Sequence, residues 1–228
     1  MESSIPSRVT SFGAGTWNDE GVIVFSNRGR LHRVSAAGGA PVVISDLDES
    51  LEETVHNWPH FLPDGRHYLY LAWSNRPEHR AIYVGELDAP GRQRLAASES
   101  MAVFSMPGYL LFQRQGALFA QAFDATDLTL QGEPIRVAED VAFDPGNGQA
   151  AFAASRNGVL THRGGGASGT SVSSCGSIEP ESGWARRGAL TFTPQSSTCL
   201  RMAGRSLPPC PTPRHRAAIS GSSTGSAT

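Results

Sequence analysis

The chain has 228 residues, 39% of them hydrophobic and 18% charged, enough for one or two domains with a genuine core. Its net charge of -2 gives no electrostatic footprint for nucleic acid or an anionic membrane. All 19 residues counted as Lys+Arg are arginine, and a chain without lysine has no phosphate-loop lysine, no kinase ATP-site lysine and no Schiff base.

From Gly15 to about Arg163 the chain reads as short strands broken by turns. The first unit holds Gly21–Ser26, Arg30–Ser35 and, after a turn at Ala37-Gly38-Gly39, Ala40–Ser45. The second holds strands near Trp58–Leu62, Tyr68–Trp73, Ala81–Leu87 and Gln93–Ala96. Between the first two of these lies Pro63-Asp64-Gly65-Arg66. Pro presets φ for a turn, Asp bonds the following backbone and Gly takes the positive-φ position, so the phrase reads as a hairpin turn. The third unit holds Met101–Ser105, Tyr109–Gln113, Ala117–Phe123 and Pro134–Val137, and a fourth opens with Ala150–Ala154 and Gly158–His162. Ile82, Val84 and Glu86 alternate with Tyr83, Gly85 and Leu87, a period of two rather than 3.6. A repeat of roughly 40 residues with up to four strands is the size of a propeller blade, and favours a propeller over a sandwich. The expected fold is therefore all-β. It is a partial β-propeller of about three to four blades of four-stranded antiparallel sheet, spanning 15–163 after an irregular segment 1–14.

Residues 164–228 change character. The segment is rich in Ser, Gly, Pro, Arg and Thr, has no Asp or Tyr, and holds all three cysteines, Cys175, Cys199 and Cys210. It reads as a disordered low-complexity tail. An odd cysteine count without paired spacing is neither a disulfide framework nor a zinc site. No apolar run reaches the roughly 20 residues that span a bilayer, and Met1–Thr16 lacks the pattern of a signal peptide, so the expected location is cytoplasmic.

Trp17-Asn18-Asp19-Glu20-Gly21-Val22-Ile23-Val24-Phe25, Leu31 through Gly39, His56 through Leu87 with its central Pro63-Asp64-Gly65-Arg66, Pro107 through Phe112, and Gly132-Glu133-Pro134 occur in this order. Together they resemble the TolB-like, WD-repeat-like propeller region of bacterial, notably acidobacterial, eukaryotic-type serine/threonine protein kinases. The resemblance covers about 13–163. It implies a propeller attached to an N-terminal kinase domain and a membrane helix, usually lying outside the cytoplasm. The kinase motifs are missing here: there is no Gly-rich ATP loop, His-Arg-Asp or Asp-Phe-Gly. In that family Thr161-His162-Arg163 is followed by a strand like Q-L-V-W-F-D-R-x-G and then by repeats with S-P-D-G-R and D-I-W-L-x-D. Read one base earlier, a back-translation of Ser173–Arg187 can encode Q-L-V-W-F-D-R-T-G-K-R-L-G-T-A. Cys199–Ser206 can encode S-P-D-G-R-Q-V, and Ala218–Thr228 can encode D-I-W-I-V-D-R-Q-R-D. The expectation is a frameshift near residues 164–172, which leaves the three cysteines without selected chemistry.

Little else points to chemistry. His56 and His60 have an H-x-x-x-H spacing, but Pro59 between them and the strand pattern deny them a shared helical face, and His67 reads as a turn residue. Trp58, Phe61, Tyr68, Tyr70 and Trp73 read as packing between blades rather than a ligand platform. Gly164 through Gly169 match G-x-G-x-x-G without the strand and helix that a dinucleotide site needs. The acidic stretch Asp46 through Glu53 reads as a solvated loop between blades. No nucleophile–base pair is legible, so no catalytic, metal or cofactor residues are expected. The chain reads as a non-catalytic binding or sensor module for an unidentified protein or small molecule. A propeller-type hydrolase fragment and an inactive truncated product are the alternatives. A propeller stopped mid-ring leaves blade faces uncovered, so low solubility and self-association are expected.

Overall fold

A computed structural model describes residues 14–155 and 159–165, and two further strands at 172–180 and 190–194. The described residues are all-β apart from two short 3₁₀ turns, Glu49–Leu51 and Pro77–His79. The strands form successive four-stranded antiparallel meanders, each ordered as the chain runs. Blade 1 comprises β1 (Gly15–Trp17), β2 (Val22–Asn27), β3 (Arg30–Ser35) and β4 (Val42–Val43). Blade 2 comprises β5 (Glu53–Phe61), β6 (His67–Ser74), β7 (Ala81–Glu86) and β8 (Arg92–Ala97). Blade 3 comprises β9 (Ala102–Ser105), β10 (Tyr109–Arg114), β11 (Ala117–Asp124) and β12 (Thr129–Ala138). A two-stranded hairpin, β13 (Phe143–Asp144) and β14 (Gln149–Ala150), follows. Blade 4 comprises β15 (Phe152–Ala154), β16 (Val159–Arg163), β17 (Val172–Pro180) and β18 (Leu190–Pro194). The first strand of each blade lies against the first strand of the next: β1 against β5, β5 against β9, β9 against β15. That is the arrangement of blades around a propeller axis.

Strand periodicity explains the stacking. Successive side chains of a strand point to opposite faces, so a strand packed on both sides reads as a continuous apolar run. In β6, Tyr68, Tyr70 and Ala72 join Val24 and Leu31 of blade 1 in one core cluster, while Leu69 joins Leu110 and Phe112 of blade 3 in the next. In β10, Leu111 turns the other way, into a third cluster with Phe152 and Leu160 of blade 4. Each core is thus an interface between blades.

Blade 1 has a second face with no such neighbour among the described residues. By register, Trp17 opposes Ile23, Ile23 opposes Val34, Phe25 opposes His32, and His32 opposes Val43. These side chains share the face turned away from blade 2. Trp17 is 61% exposed and Val43 46% exposed, and Phe25 stacks on His32.

β5 and β12 each begin five residues earlier than the sequence reading placed them, and three further elements differ in kind. Gly15-Thr16-Trp17 forms β1, though three residues offer no period to read. Ala150–Ala154 is not one strand: Ala150 pairs back with Phe143, and blade 4 starts afresh at Phe152. The segment read as a tail from 164 contributes β17, paired with β16, and β18, paired with β17. The remainder of that segment beyond Pro194, Cys199 and Cys210 included, lies outside the described residues, as do 1–13.

Candidate functional site

The turn Pro63-Asp64-Gly65-Arg66 joins β5 to β6. Asp64 Oδ1 accepts from the backbone N–H of Arg66 (3.1 Å) and of His67 (3.0 Å), and the Gly65 N–H donates to the Leu62 carbonyl (3.0 Å). Gly65 sits at φ 67°, which a side chain resists. Its carbonyl accepts from Asn18 Nδ2 (2.7 Å), tying the hairpin to blade 1. The His67 ring bonds Asp64, and Arg66 pairs with Glu86. Burial would raise the Asp64 carboxyl, but the His67 ring and the two N–H groups outweigh it and hold it below the ordinary value.

The more informative cluster lies between blades 1 and 2, and it includes part of the acidic stretch read from sequence as a solvated loop. Asp48 remains at the surface, where its side chain caps the Glu49–Leu51 turn through the Ser50 N–H (3.0 Å). Glu53 instead turns inward, and its side chain is fully buried. A buried carboxylate survives only when paired and hydrogen-bonded. Glu53 accepts from Arg92 Nη1 on both oxygens (2.7 and 2.8 Å), from the Asp48 N–H (2.8 Å) and from His56 Nε2 (3.0 Å). Burial alone would raise its carboxyl; the His56 and Arg92 bonds and the Asp48 N–H outweigh that and bring it down to about 2.

Residues three apart in a regular strand face opposite sides. Glu53 and His56 meet because the β5–β6 register slips between Glu53 and Val55, a β-bulge. The ionised Glu53 can only accept, so His56 Nε2 carries a proton. In the neutral ring Nδ1 is then an acceptor, and it lies 2.8 Å from the Ser45 hydroxyl. Ser45 comes from the end of blade 1, where its oxygen also accepts from the Leu31 N–H (2.9 Å). The result is a continuous line, Ser45–His56–Glu53–Arg92, running from one blade to the next. The Ser26 hydroxyl adds a second tie, donating to the His56 carbonyl (2.8 Å).

Aromatic rings enclose this line. Tyr70 packs on His56 with ring centroids 4.9 Å apart and stacks on Tyr83 at 5.8 Å, and the Arg92 guanidinium lies 4.3 Å over Tyr83. Burial pushes the Tyr68 hydroxyl up to about 12 and Tyr70 higher still. Beside the line opens a cavity of about 540 Å³, walled by Arg33, Ser45, Tyr68, Tyr70, Arg92 and the loop 87–91. Arg33 bridges its rim by bonding Asp88 (2.7 Å) and the Leu87 carbonyl (3.1 Å) of blade 2.

The three histidines noted from sequence therefore occupy separate settings: His56 in the buried line, His67 on the turn, and His60 along β5 near Phe104. Burial holds His60 below the ordinary imidazole value, against an opposing hydrogen bond with the Phe104 backbone. Among the described residues no group of three or more His, Cys, Asp or Glu could hold a metal ion. Of the aromatics read as packing, Tyr68 and Tyr70 pack between blades, whereas Trp58 does something else. It has φ 57° at a second bulge in β5, and its indole N–H donates to the Asn147 carbonyl (2.7 Å). There it borders a second cavity, of about 370 Å³, with Met101, Phe152 and His162.

The Ser45–His56–Glu53 line was missed from sequence because Ser45 comes from blade 1 and Glu53 and His56 meet only through a bulge in β5. The one local signal is Glu53-x-x-His56, and it becomes meaningful only once the bulge is known.

No family model and no curated protein sequence matches this chain. Among solved structures it is similar to native Bacillus subtilis arabinanase Arb43A, at 14% identity and a TM-score of 0.43, over 82% of this chain and 80% of that one. Among the described residues no helix is long and apolar enough to cross a membrane.

Proposed function

We propose that this chain is a β-propeller binding module, a piece of the propeller region of a receptor-like serine/threonine protein kinase, with its ligand cleft between blades 1 and 2. One observation supports the cleft above others. The 540 Å³ cavity is walled by both blades and offers donors (Arg33, Arg92, the tyrosine hydroxyls) and acceptors (Asp46, Glu86, Asp88) together. Membership of a larger ring is supported by the uncovered face of blade 1, which carries the same kind of side chains that pack between blades elsewhere. Phosphoryl transfer is not part of the proposal, since the chain has neither lysine nor kinase motifs.

We attribute the change of character after Arg163 to a frameshift near residues 164–172, on the in-order recovery of three propeller phrases in one shifted frame. Sequencing the DNA on both sides tests this. A kinase frame upstream and further blades downstream in the shifted frame are expected. A single intact frame with this same tail in related strains contradicts it. Restoring the frame by one base should give a longer chain that stays soluble and melts cooperatively.

A further inference from the structure

We propose that Ser45 is a nucleophile activated by His56 and Glu53, making the blade 1–blade 2 cleft a site of ester cleavage by acyl transfer. This goes beyond ligand binding: it rests on the same cleft and adds the Ser45–His56–Glu53 contacts.

The geometry has the parts that hydroxyl activation needs. The Ser45 oxygen has one proton and two lone pairs. With His56 neutral and its proton on Nε2, the Ser45 hydroxyl donates along the 2.8 Å contact to Nδ1, and one lone pair accepts from the Leu31 N–H. The second lone pair remains for bond formation, and Ser45 itself walls the 540 Å³ cavity. Glu53 holds the other ring nitrogen at 3.0 Å and fixes the tautomer, as the carboxylate of a triad does. Glu53 is in turn locked by Arg92, so its orientation does not depend on solvent. Arg92 and Tyr70 wall the same cavity and carry the N–H and O–H groups able to face a developing oxyanion.

The chemistry balances without a redox partner. The Ser45 oxygen attacks the ester carbonyl carbon, and its proton passes to His56 Nδ1. The C–O bond to the alcohol breaks, and the leaving alkoxide takes that proton. A solvent water then attacks the acyl carbon and gives a proton to Nδ1. The Ser45 oxygen leaves and recovers this proton. The sum is ester plus water giving acid plus alcohol. The class of substrate is a small carboxylic ester whose acyl part fits the cleft.

The test treats the folded full chain with an alkyl fluorophosphonate and maps the product by peptide mass spectrometry. An Oγ–P bond forms, fluoride leaves, and the hydroxyl proton goes to His56. Ser35, exposed on the end of β3, is the internal reference. General-base assistance is worth 10²–10⁴-fold, so Ser45 should be labelled at least about 100-fold faster than Ser35. Steady hydrolysis of p-nitrophenyl acetate should fall at least about tenfold in Ser45→Ala. Equal labelling of Ser45 and Ser35 in the wild-type chain overturns the proposal without needing any variant, as does hydrolysis unchanged in Ser45→Ala. Either failure leaves the binding reading intact, because that reading depends on the cleft and not on the reactivity of Ser45.

Discussion

Replacing Glu53 with Gln tests the inter-blade line directly. The substitution keeps the volume and removes the charge. Three kinds of donor converge on the carboxylate: Arg92 Nη1, His56 Nε2–H and the Asp48 N–H. A carboxamide has one oxygen, and its NH₂ must face at least one of these donors, leaving a buried N–H without an acceptor. Removing one partner of a buried ion pair costs about 3–5 kcal/mol. The Arg92 side chain is 20% exposed and keeps Asp48 at 3.2 Å, so the low end, about 3 kcal/mol, is expected. The pH dependence gives an independent route to the same figure. A Glu53 carboxyl at about 2 in the folded chain, against 4.5 when unfolded, contributes about 3 kcal/mol. Because the folded value is the lower one, that contribution is complete above pH 4.5 and is lost as pH falls toward 2. Urea unfolding followed by tryptophan fluorescence, on wild type and Glu53→Gln from pH 7 to pH 2, reads both. The variant should be about 3 kcal/mol less stable at pH 7, or about 6–12 °C lower in Tm. The gap should close progressively below pH 4.5, the other depressed carboxyls, such as Asp64, cancelling in the difference. A gap under about 1 kcal/mol at pH 7, or one that does not change with pH, refutes the reasoning.

Gly85→Ala should destabilise by about 1–3 kcal/mol, since the new Cβ would lie 2.7 Å from the Tyr68 ring; chemical denaturation measures it, and a neutral result would mean that Tyr68 does not seat against β7. Gly65→Ala should cost about 1 kcal/mol through its positive φ alone, because its Cβ would meet only Asn18 at an ordinary 3.6 Å. Trp17→Arg, on the uncovered face of blade 1, should leave the melting temperature within about 2 °C while reducing concentration-dependent light scattering; unchanged scattering would place self-association elsewhere.

Blade architecture was legible because its signal is local. The alternating run Arg30–Ser35 and the largely apolar runs Tyr68–Trp73 and Ala117–Phe123, each bounded by turns, mark β3, β6 and β11 to within a residue or so at each end. The same alternation assigns Leu110 and Leu111 to different interfaces, although the sequence alone cannot say which neighbour each one meets. What was not legible depends on departures from the regular strand. The bulge after Glu53 brings Glu53 and His56 to one side, and the bulge before His60 sets Trp58 at positive φ. Bulges have no reliable residue signature, so a buried carboxylate was read as one more solvated acid. Ser45 and Arg92 lie 47 positions apart and come to wall one cavity only through the stacking of two blades. β1, β13 and β14 are too short to show a period at all.

Native-state hydrogen exchange, resolved to single amides, tests the central claim that these strands are stacked blades of one propeller. Strands β6 and β10 have blades on both sides, whereas among the described residues β2 has a blade on one face alone. Amides of β6 and β10 should therefore exchange only through global unfolding, with a free energy equal to that from denaturant, and those of β2 through smaller openings. Exchange from β6 and β10 as fast as from β2 would contradict the stacking, and with it the cleft on which the functional proposals rest.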